Sequence, residues 1–189
     1  MTDESDETLW ALVLSGDARR YGTIWDRHHA RVFRHLIASG TPAGAAEDLT
    51  AAAFLELWRR RSAVRFVDGS LLPWLIVTAQ NVSRNASRAR RRYERFLSAL
   101  PAPPLVPDHA DAIADRADER LLALREAISA ARSTDAQLLA MTALEGFTIR
   151  EAASALGLTE SAAKMRLSRI RTRLRTAVAP HLLPEGGPL

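Results

Sequence analysis

The stretch of sequence that most restricts the fold is IREAASALGLTESAAKMRLSRIRTRL, residues 149–174. Ala153 and Gly157 stand four residues apart. The small alanine lets two helices approach closely, and glycine takes the positive φ of a turn at little cost. Leu156 and Leu158 flank the glycine and would fill the wedge between the helices. The stretch therefore predicts two helices joined by a tight turn.

The second helix of this stretch has one apolar and one polar face. Its apolar residues recur at helical spacing and are Ala163, Leu167, Ile170, Leu174 and Val178. The opposite face carries Ser161, Met165, Ser168, Arg169 and Thr172, flanked by Lys164 and Arg166. A helix–turn–helix whose second helix presents polar and basic groups is the arrangement that enters a DNA major groove. An ordinary helical hairpin with a charged surface is the alternative.

Helical periodicity also dominates the rest of the chain, and no segment alternates like a β-strand over a useful length. We therefore predict an all-α fold. In the N-terminal half, helices are expected over residues 4–14, 17–39, 42–61 and 71–96, with a loop at 64–70. Thr41 is predicted to cap the third helix, with Pro42 as its first helical residue.

The C-terminal half is expected to contain four helices. The first spans about residues 115–131. A capping box formed by Thr134 and Gln137 is predicted to open the second, and one formed by Thr148 and Glu151 the third. The last begins after Thr159 and runs to about residue 178.

A proline-rich segment, LSALPAPPLVPDHA, marks the domain boundary. Its prolines at 101, 103, 104 and 107 cannot continue a helix and favour an extended, semi-rigid connector. The prediction is two small helical domains, 1–96 and 115–180, joined by a linker at 97–114 and followed by a flexible tail at 181–189. Few contacts are expected between the two domains.

Positive charge is concentrated in two places, although the net charge is only +4. Residues 84–95 are rich in arginine and contain a single acid, Glu94, and residues 164–175 contain basic residues and no acid. Two basic stretches indicate two contacts with a polyanion such as DNA. Solvated helix faces are the alternative.

The first basic stretch continues a helix that begins with aromatic and amide groups. Trp74 and Asn81 are seven residues apart, so they lie on the same side of this helix. Such a helix can contact bases first and phosphates afterwards. The alternative for Trp74 is a place in the hydrophobic core.

Several classes of protein are excluded by residues that the sequence lacks. There is no cysteine, so disulfides and thiolate metal sites are excluded. The start, MTDESDETLW, is acidic where a secretory signal is basic, and no apolar run approaches a membrane span. No phosphate-binding glycine loop, nucleophile elbow or metal-ligand spacing occurs. We expect a cytoplasmic protein without membrane insertion, cofactor or enzymatic activity, in which His28, His29 and His35 are surface or half-buried residues.

Three segments resemble a known family. AEDLTAAAFLELW (46–58) and PWLIVTAQNVSRNASRARRR (73–92) resemble region two of extracytoplasmic-function sigma factors. EGFTIREAASALGLTESAAKMRLSRIRTRL (145–174) resembles their region four. The resemblance implies that the first domain binds the clamp of RNA polymerase, recognises the minus-ten promoter element and starts strand separation. The second domain would bind the polymerase flap and recognise the minus-thirty-five element.

The resemblance also implies a role for individual residues. Those that bind core polymerase are Glu47, Asp48, Leu49, Phe54, Leu55 and Trp58. Those that bind the minus-ten element are Phe66, Asp68, Trp74, Asn81, Arg84, Arg88 and Arg91, with Asn81 and the loop at 66–72 capturing a flipped base. Those that bind the minus-thirty-five element are Ser161, Lys164, Met165, Arg166, Ser168 and Arg169.

The chain departs from the family pattern at Ala51 and Ala52, where a glutamine and an acid are usual, so the polymerase contact is expected to be weaker or more apolar. Ala163 also replaces a larger aliphatic residue. The partners implied are core RNA polymerase and promoter DNA, with an anti-sigma factor as a candidate third. A two-domain helix–turn–helix regulator that binds operator DNA is the alternative function. Such a regulator would need a ligand-binding or phosphorylation domain, and the first hundred residues show no sequence pattern of either kind.

Overall fold

The computed structural model describes residues 4–98, 123–124, 127–128, 131 and 133–179, and across these residues the fold is all-α, as predicted. The helices in chain order are α1 (Asp6–Leu14), α2 (Arg19–Ala38), α3 (Ala43–Arg59), α4 (Leu72–Ser98), α5 (Ser133–Ala143), α6 (Ile149–Leu156) and α7 (Glu160–Val178). Because α4 extends to Ser98, residues 97 and 98 are helical and do not belong to the linker. The remaining linker, most of the helix predicted at 115–131 and the tail at 181–189 lie outside the described residues.

The N-terminal core is formed by the apolar faces of α1, α2, α3 and α4. Ile24 of α2, Phe54 and Leu57 of α3, and Leu75 and Ile76 of α4 are all buried. Removing these side chains from water is the main contribution to the stability of this half of the chain. The first half of α4 is therefore held in the core, while its arginine-rich second half is exposed to solvent.

Asp6, in the first turn of α1, is a buried carboxylate that joins three segments. It accepts hydrogen bonds from Arg27 Nη1 at 2.8 Å, His28 Nε2 at 2.7 Å and the backbone N–H of Leu71 at 2.7 Å. Burial alone raises the pKa of Asp6, but the hydrogen bonds from His28, Leu71 and Arg27 outweigh it and hold the pKa well below its usual range. Asp6 thus fixes α1 and the start of α4 to α2.

The expectation that the histidines of α2 are surface or half-buried residues is wrong for two of them. His28 and His35 are buried, with exposed fractions of 6% and 1%, and His29 is half-buried. Each buried imidazole pairs with a carboxylate that is distant in sequence, Asp6 for His28 and Glu145 for His35. Short-range sequence patterns do not reveal such partners.

A tight turn precedes α4. The backbones of Val67 and Ser70 exchange two hydrogen bonds of 3.0 Å, and Asp68 and Gly69 between them have φ values of 49° and 76°. Positive φ at both central residues is typical of a type I′ turn, for which Asp-Gly is a preferred pair. The loop predicted here is confirmed, and Asp68 is exposed on it.

The predicted cap of α3 is wrong by one residue. Pro42 occupies the N-cap position, and no side chain caps the helix. The hydroxyl of Thr41 lies 3.4 Å from that of Ser83 on α4 instead. Thr41 therefore links the start of α3 to α4.

α6 and α7 form the predicted helix–turn–helix. Thr148 and Glu151 make a reciprocal capping box: the N–H of Glu151 donates to Thr148 Oγ1 at 3.2 Å, and the N–H of Thr148 donates to the Glu151 carboxylate at 2.7 Å. Gly157 ends α6 in the left-handed region with φ of 68°. Thr159 caps α7 by accepting from the N–H of Ala162 at 3.2 Å. The predicted caps and turn are confirmed.

The apolar face of α7 packs against α5 and α6. Ala163, Leu167 and Ile170 are buried, together with Leu138 and Met141 of α5. This confirms the apolar face predicted for the last helix and leaves its opposite face in solvent.

The capping box predicted from Thr134 and Gln137 is wrong. α5 already includes Ser133, so Thr134 lies inside the helix. Gln137 is buried and donates a hydrogen bond to Asn81 of α4 at 3.0 Å. Gln137 therefore makes a tertiary contact instead of the local cap that the pattern predicted.

The two domains contact each other, contrary to the expectation of few contacts between them. α5 and α6 pack against α4. Glu145, between α5 and α6, pairs with Arg31 and His35 of α2. The described residues thus form one hydrophobic core cluster that includes side chains from both halves.

Candidate nucleic-acid and polymerase interfaces

The outward face of α7 is exposed and mostly polar. Ser161, Lys164, Met165, Ser168 and Arg169 are all exposed. They lie opposite the buried face of the helix, at the positions that the sequence predicts for contact with a major groove. Because the caps and the buried face fix this helix against α5 and α6, its outward side chains are presented on a rigid element.

The basic residues of α7 differ in what they contact. Lys164 Nζ lies 2.7 Å from Glu160, and this hydrogen bond lowers the pKa of Glu160. Arg166 Nη1 donates to Asp135 of α5 at 2.8 Å, and both side chains are partly buried. Arg169 has no ion-pair partner among the described residues. Arg169 is therefore available to a ligand, whereas Arg166 ties α7 to α5.

The second half of α4 is an arginine-rich surface. Arg88, Arg91, Arg92 and Arg95 line a shallow depression together with Glu94 and Ser98. Glu94 pairs with Arg90 at 2.8 Å, across one turn of the helix. The remaining guanidinium groups give this surface a positive electrostatic potential, which is typical of a surface that binds a polyanion.

Arg84 stands where this arginine surface meets the packed half of α4. Burial and the neighbouring charge of Arg88 lower the pKa of Arg84. An arginine nonetheless keeps its charge at neutral pH. A phosphate near Arg84 and Arg88 would relieve the repulsion between the two guanidinium groups.

Asn81 lies one turn before Arg84 and is exposed. Its Oδ1 accepts hydrogen bonds from Arg84 Nη2 at 3.1 Å and from Gln137 Nε2 at 3.0 Å. A carbonyl oxygen has two lone pairs, so the acceptor capacity of this amide is fully used. Trp74, two turns earlier, is half-buried and packs against the core.

The turn before α4 carries the other two residues assigned to the minus-ten element. Phe66 is half-buried and packs against the core. Asp68 is exposed and binds Arg150 of α6 through both oxygens, at 3.2 Å and 2.8 Å. The structure thus places Asp68 and Asn81 on the side of the N-terminal domain that faces the C-terminal domain.

The residues assigned to polymerase binding lie on α3, and most are accessible. Glu47 and Asp48 are exposed, Leu49 is half-buried, and Leu55 and Trp58 are 51% and 39% exposed. Phe54 is the exception, because it is 2% exposed. Its ring lies 4.6 Å from that of Trp25 in the core. Phe54 therefore supports α3 from inside and does not contribute to the surface.

Trp58 is held by two neighbours. Its ring makes an edge contact with Tyr21 at 5.5 Å, and the guanidinium of Arg61 lies 5.1 Å from it. Burial raises the pKa of Tyr21 to about 12, so the phenol remains neutral. An exposed tryptophan in a fixed orientation beside Leu55 is a typical anchor of a protein–protein interface.

Three residues with a part in these surfaces were not singled out from the sequence, and a fourth, Gln137, was singled out only as part of a capping box. Gln137 and Arg150 bind Asn81 and Asp68, and Arg31 and Glu145 pair across the two domains. Arg31, Glu145 and Arg150 are polar residues on helices or loops, and no spacing distinguishes them. Only the packing of one domain on the other brings them to their partners.

Two features are missing from the described residues. None of their helices has both the length and the hydropathy needed to cross a bilayer. Nor do three or more histidine or acidic side chains come together there in a way that could hold a metal ion.

Two family models match the chain. The model described as Sigma-70 region 2 matches residues 24–93, and the model described as Sigma-70, region 4 matches residues 121–174. The first match begins within α2 and includes α3 and most of α4. The second includes α5, α6 and most of α7.

Curated relatives carry related names. "Probable RNA polymerase sigma factor RfaY" of Xanthomonas campestris pv. campestris is 30% identical over 166 residues, which are 85% of this chain and 41% of the relative. The chain thus spans less than half the length of that relative. "ECF RNA polymerase sigma factor SigM" of Mycobacterium tuberculosis is 25% identical over 174 residues, 91% of this chain and 84% of the relative.

A solved structure has the same fold. CnrH, a sigma factor of Cupriavidus metallidurans, was solved in complex with the cytosolic domain of CnrY. It is similar to this chain with a TM-score of 0.61 and 20% identity, over 94% of this chain and 99% of that chain. At this identity the similarity concerns the fold alone.

Proposed function

This chain belongs to the sigma-70 family, in its extracytoplasmic-function (ECF) group, and from this membership we propose that it binds core RNA polymerase and directs it to specific promoters. The chain itself performs no catalysis in this role, because the polymerase makes the phosphodiester bonds. Core polymerase and promoter DNA are cytoplasmic in bacteria, so the cytoplasm is the proposed location.

The proposed polymerase contact is the outer face of α3. Leu55 and Trp58 are large apolar side chains in solvent, and Glu47 and Asp48 add negative charge on the same helix. Burying the two apolar side chains against the polymerase would supply the affinity, with the acids at the rim favouring a basic partner surface.

The proposed minus-ten contact lies on α4 and the turn before it. Arg84, Arg88 and Arg91 would hold phosphates, and Asn81 and Asp68 would contact a base taken out of the stack. Unstacking a base costs a few kcal/mol, which these contacts would offset. Phosphate contacts fix the position of the strand, and the base contact supplies the specificity.

The proposed minus-thirty-five contact is the outward face of α7. Arg169 is the candidate for a bidentate base contact, because it is exposed and has no ion-pair partner among the described residues. Lys164, Ser161, Ser168 and Met165 surround it. Arg166 is assigned to the support of the helix rather than to DNA, because it is bound to Asp135.

The observation that carries this proposal is the helix–turn–helix of α6 and α7, with its capping box, its left-handed glycine and its exposed second helix. The test is run-off transcription by core polymerase on a promoter library, with and without the protein. We expect transcripts from a defined subset of promoters only when the protein is present.

A matched pair of variants separates the polymerase contact from a general loss of stability. Leu55 on α3 and Leu14 at the end of α1 are exposed to nearly the same extent, 51% and 52%. Leu55→Ser should weaken binding to core polymerase in a pull-down, and Leu14→Ser should not. Equal binding by both variants would remove the outer face of α3 from the proposal.

The helix–turn–helix regulator remains the second candidate, because α7 alone would suit operator DNA. The two functions differ in their dependence on polymerase. Tight binding of the free protein to a duplex operator, with no association with core polymerase, would establish the regulator and reject the sigma factor.

An anti-sigma factor is proposed as a third partner. CnrH, whose fold this chain shares, was solved with the cytosolic domain of CnrY. The apolar and acidic face of α3 is the candidate surface, since an inhibitor bound there would exclude the polymerase. Inhibitor binding that is insensitive to Leu55→Ser would place it elsewhere.

A further inference from the structure

The exposed Trp58 lies at the end of a row of aromatic rings that begins on α1. Trp10 is buried, and its ring centroid lies 6.0 Å from that of Tyr21 on α2. The ring of Tyr21 in turn makes an edge contact with Trp58 at 5.5 Å. Such a contact favours one relative orientation of the two rings, because the positive edge of one ring faces the negative face of the other. The row therefore connects a surface side chain of α3 to the interior of the N-terminal domain.

Two hydrogen bonds fix this row to the backbone at the end of α3. The hydroxyl of Tyr21 donates to the carbonyl oxygen of Phe54. Nε1 of Trp10 donates at 3.0 Å to the carbonyl oxygen of Arg61, just past the end of the helix. Tyrosine and tryptophan donors that are withdrawn from water need such partners. α1 and the start of α2 thus hold the last turns of α3 in place.

The guanidinium of Arg61 restricts Trp58 further. It lies 5.1 Å from the centroid of the indole ring, and Arg61 Nη1 also donates to the carbonyl oxygen of Trp58 at 3.3 Å. Trp58 is still 39% exposed and lies one turn after Leu55, which is 51% exposed. A tryptophan held in this way presents a fixed apolar surface instead of sampling several rotamers.

A side chain that is held before binding gives a higher affinity than a mobile one. A mobile side chain loses its rotamer freedom when a partner binds, and this loss weakens binding by roughly 2- to 12-fold for each side chain. A side chain that already has its bound orientation avoids the loss. The residues that hold Trp58 should therefore affect the affinity for polymerase without contacting the polymerase.

We propose that Tyr21 is a positioning residue for polymerase binding: its ring, supported by Trp10 of α1, holds Trp58 in the orientation that contacts the polymerase. This inference rests on the proposed function, since it takes the outer face of α3 as the polymerase contact. Tyr21 and Trp10 both precede residue 24, where the match to the region 2 model begins. The part of the chain that serves polymerase binding thus extends to α1, beyond the segment that the family model matches.

The first arm of the test measures the affinity of the full-length protein for core polymerase. Trp58→Ala should weaken binding about thirtyfold, as is typical of a central interface tryptophan. Tyr21→Leu should weaken it about fivefold, and Tyr21→Phe, which keeps the ring, should stay within about twofold of the parent. Phe33→Leu is the matched control, because Phe33 is another half-buried aromatic residue of α2 and packs against the core. Its affinity should also stay close to that of the parent.

A double-variant cycle separates positioning from a general loss of stability. In the Trp58→Ala background, Tyr21→Leu should cause no further loss of affinity, because no indole ring remains to be positioned. A destabilised α3 would weaken binding in either background. Thermal unfolding shows which variants fold. Tyr21→Met, whose flexible side chain fills irregular gaps, replaces Tyr21→Leu in the cycle where the leucine variant does not fold.

The second arm observes Trp58 in the free protein by fluorine NMR after incorporation of fluorotryptophan. The chain has four tryptophans, and the signal that is missing from Trp58→Phe identifies Trp58. Tyr21→Leu should move this signal towards the position of free fluorotryptophan. Tyr21→Phe and Phe33→Leu should leave it near the position that it has in the parent.

Each outcome decides the proposal. Equal affinities of Tyr21→Leu and the parent would reject it, and so would an undiminished effect of Tyr21→Leu in the Trp58→Ala background. An unmoved fluorine signal of Trp58 in Tyr21→Leu would reject it as well. Failure of the proposed function is distinguishable, because the parent itself would then not bind core polymerase, and the positioning role would be rejected with it.

Discussion

Asp135 of α5 and Arg166 of α7 form a 2.8 Å ion pair that joins the first and last helices of the described C-terminal domain. The two side chains are 18% and 32% exposed, so water screens the pair only in part. Arg166 was assigned to DNA by resemblance. Its position makes it a support of α7, which leads to a prediction that separates the two roles.

Arg166→Ala should lower the free energy of unfolding by about 1–2 kcal/mol, between the values for exposed and buried ion pairs. Asp135→Ala should have a similar effect, and the double variant should lose little more than either single one. Thermal or urea unfolding of the three variants checks this. Additive losses would show that the pair contributes nothing as a pair.

Arg169→Ala should weaken recognition of the upstream promoter element without changing stability. Its side chain is exposed and has no ion-pair partner among the described residues, so a bidentate base contact worth about 1–3 kcal/mol is available to it. Transcription from promoters with altered upstream elements measures the effect. Equal loss on all promoters would instead assign Arg169 to the phosphate backbone.

Lys164→Ala should give a smaller and less sequence-dependent loss. Lys164 is paired with Glu160 at 2.7 Å, so DNA must compete with that bond, and a lysine contacts phosphate as a point charge. We expect a reduced dependence of DNA binding on salt concentration for this variant. A salt dependence identical to that of the parent would contradict a phosphate contact.

Asp6→Asn should lower the free energy of unfolding at pH 7 by about 2–4 kcal/mol, because it weakens a buried, multiply bonded carboxylate. The pKa of Asp6 is depressed in the folded state, so its contribution is complete above the ordinary pKa of 3.8 and is lost as the pH falls below it. The difference in stability between parent and variant should therefore narrow on acidification below that value. A constant difference from pH 7 to pH 3 would contradict the depressed pKa.

Asn81→Ala should impair promoter opening more than promoter binding. The amide can recognise a base edge only when that base is unstacked, whereas the arginines that follow it bind phosphates in either state. Permanganate footprinting, which detects unpaired thymines, is to be compared with a binding assay on the same promoter. Ser87→Ala, an exposed position later on α4, is the control. Normal melting by Asn81→Ala would leave the base-binding site unassigned.

Local patterns determined most of the fold. The helix–turn–helix followed from Gly157, the Thr148–Glu151 capping box and the apolar spacing of α7, and all three are confirmed. These features act within a few residues of chain, where backbone conformation and helical period decide the outcome. The Thr134–Gln137 pattern is of the same kind, yet no cap forms there, because Thr134 lies inside α5 and the buried Gln137 bonds to Asn81 on another helix.

The sequence alone determined the all-α class, the order of the region two and region four segments, the exposed face of α7 and the arginine surface of α4. The tertiary structure alone decided that Phe54 faces the core, that His28 and His35 are buried with carboxylates, and that Glu145, Arg150 and Gln137 dock one domain on the other. The physical reason is the distance along the chain between the residues that interact. Helical spacing records which side of an element is apolar. A buried hydrogen bond such as that between His35 and Glu145 depends instead on how whole elements are brought together, and neither residue carries a local sign of the other.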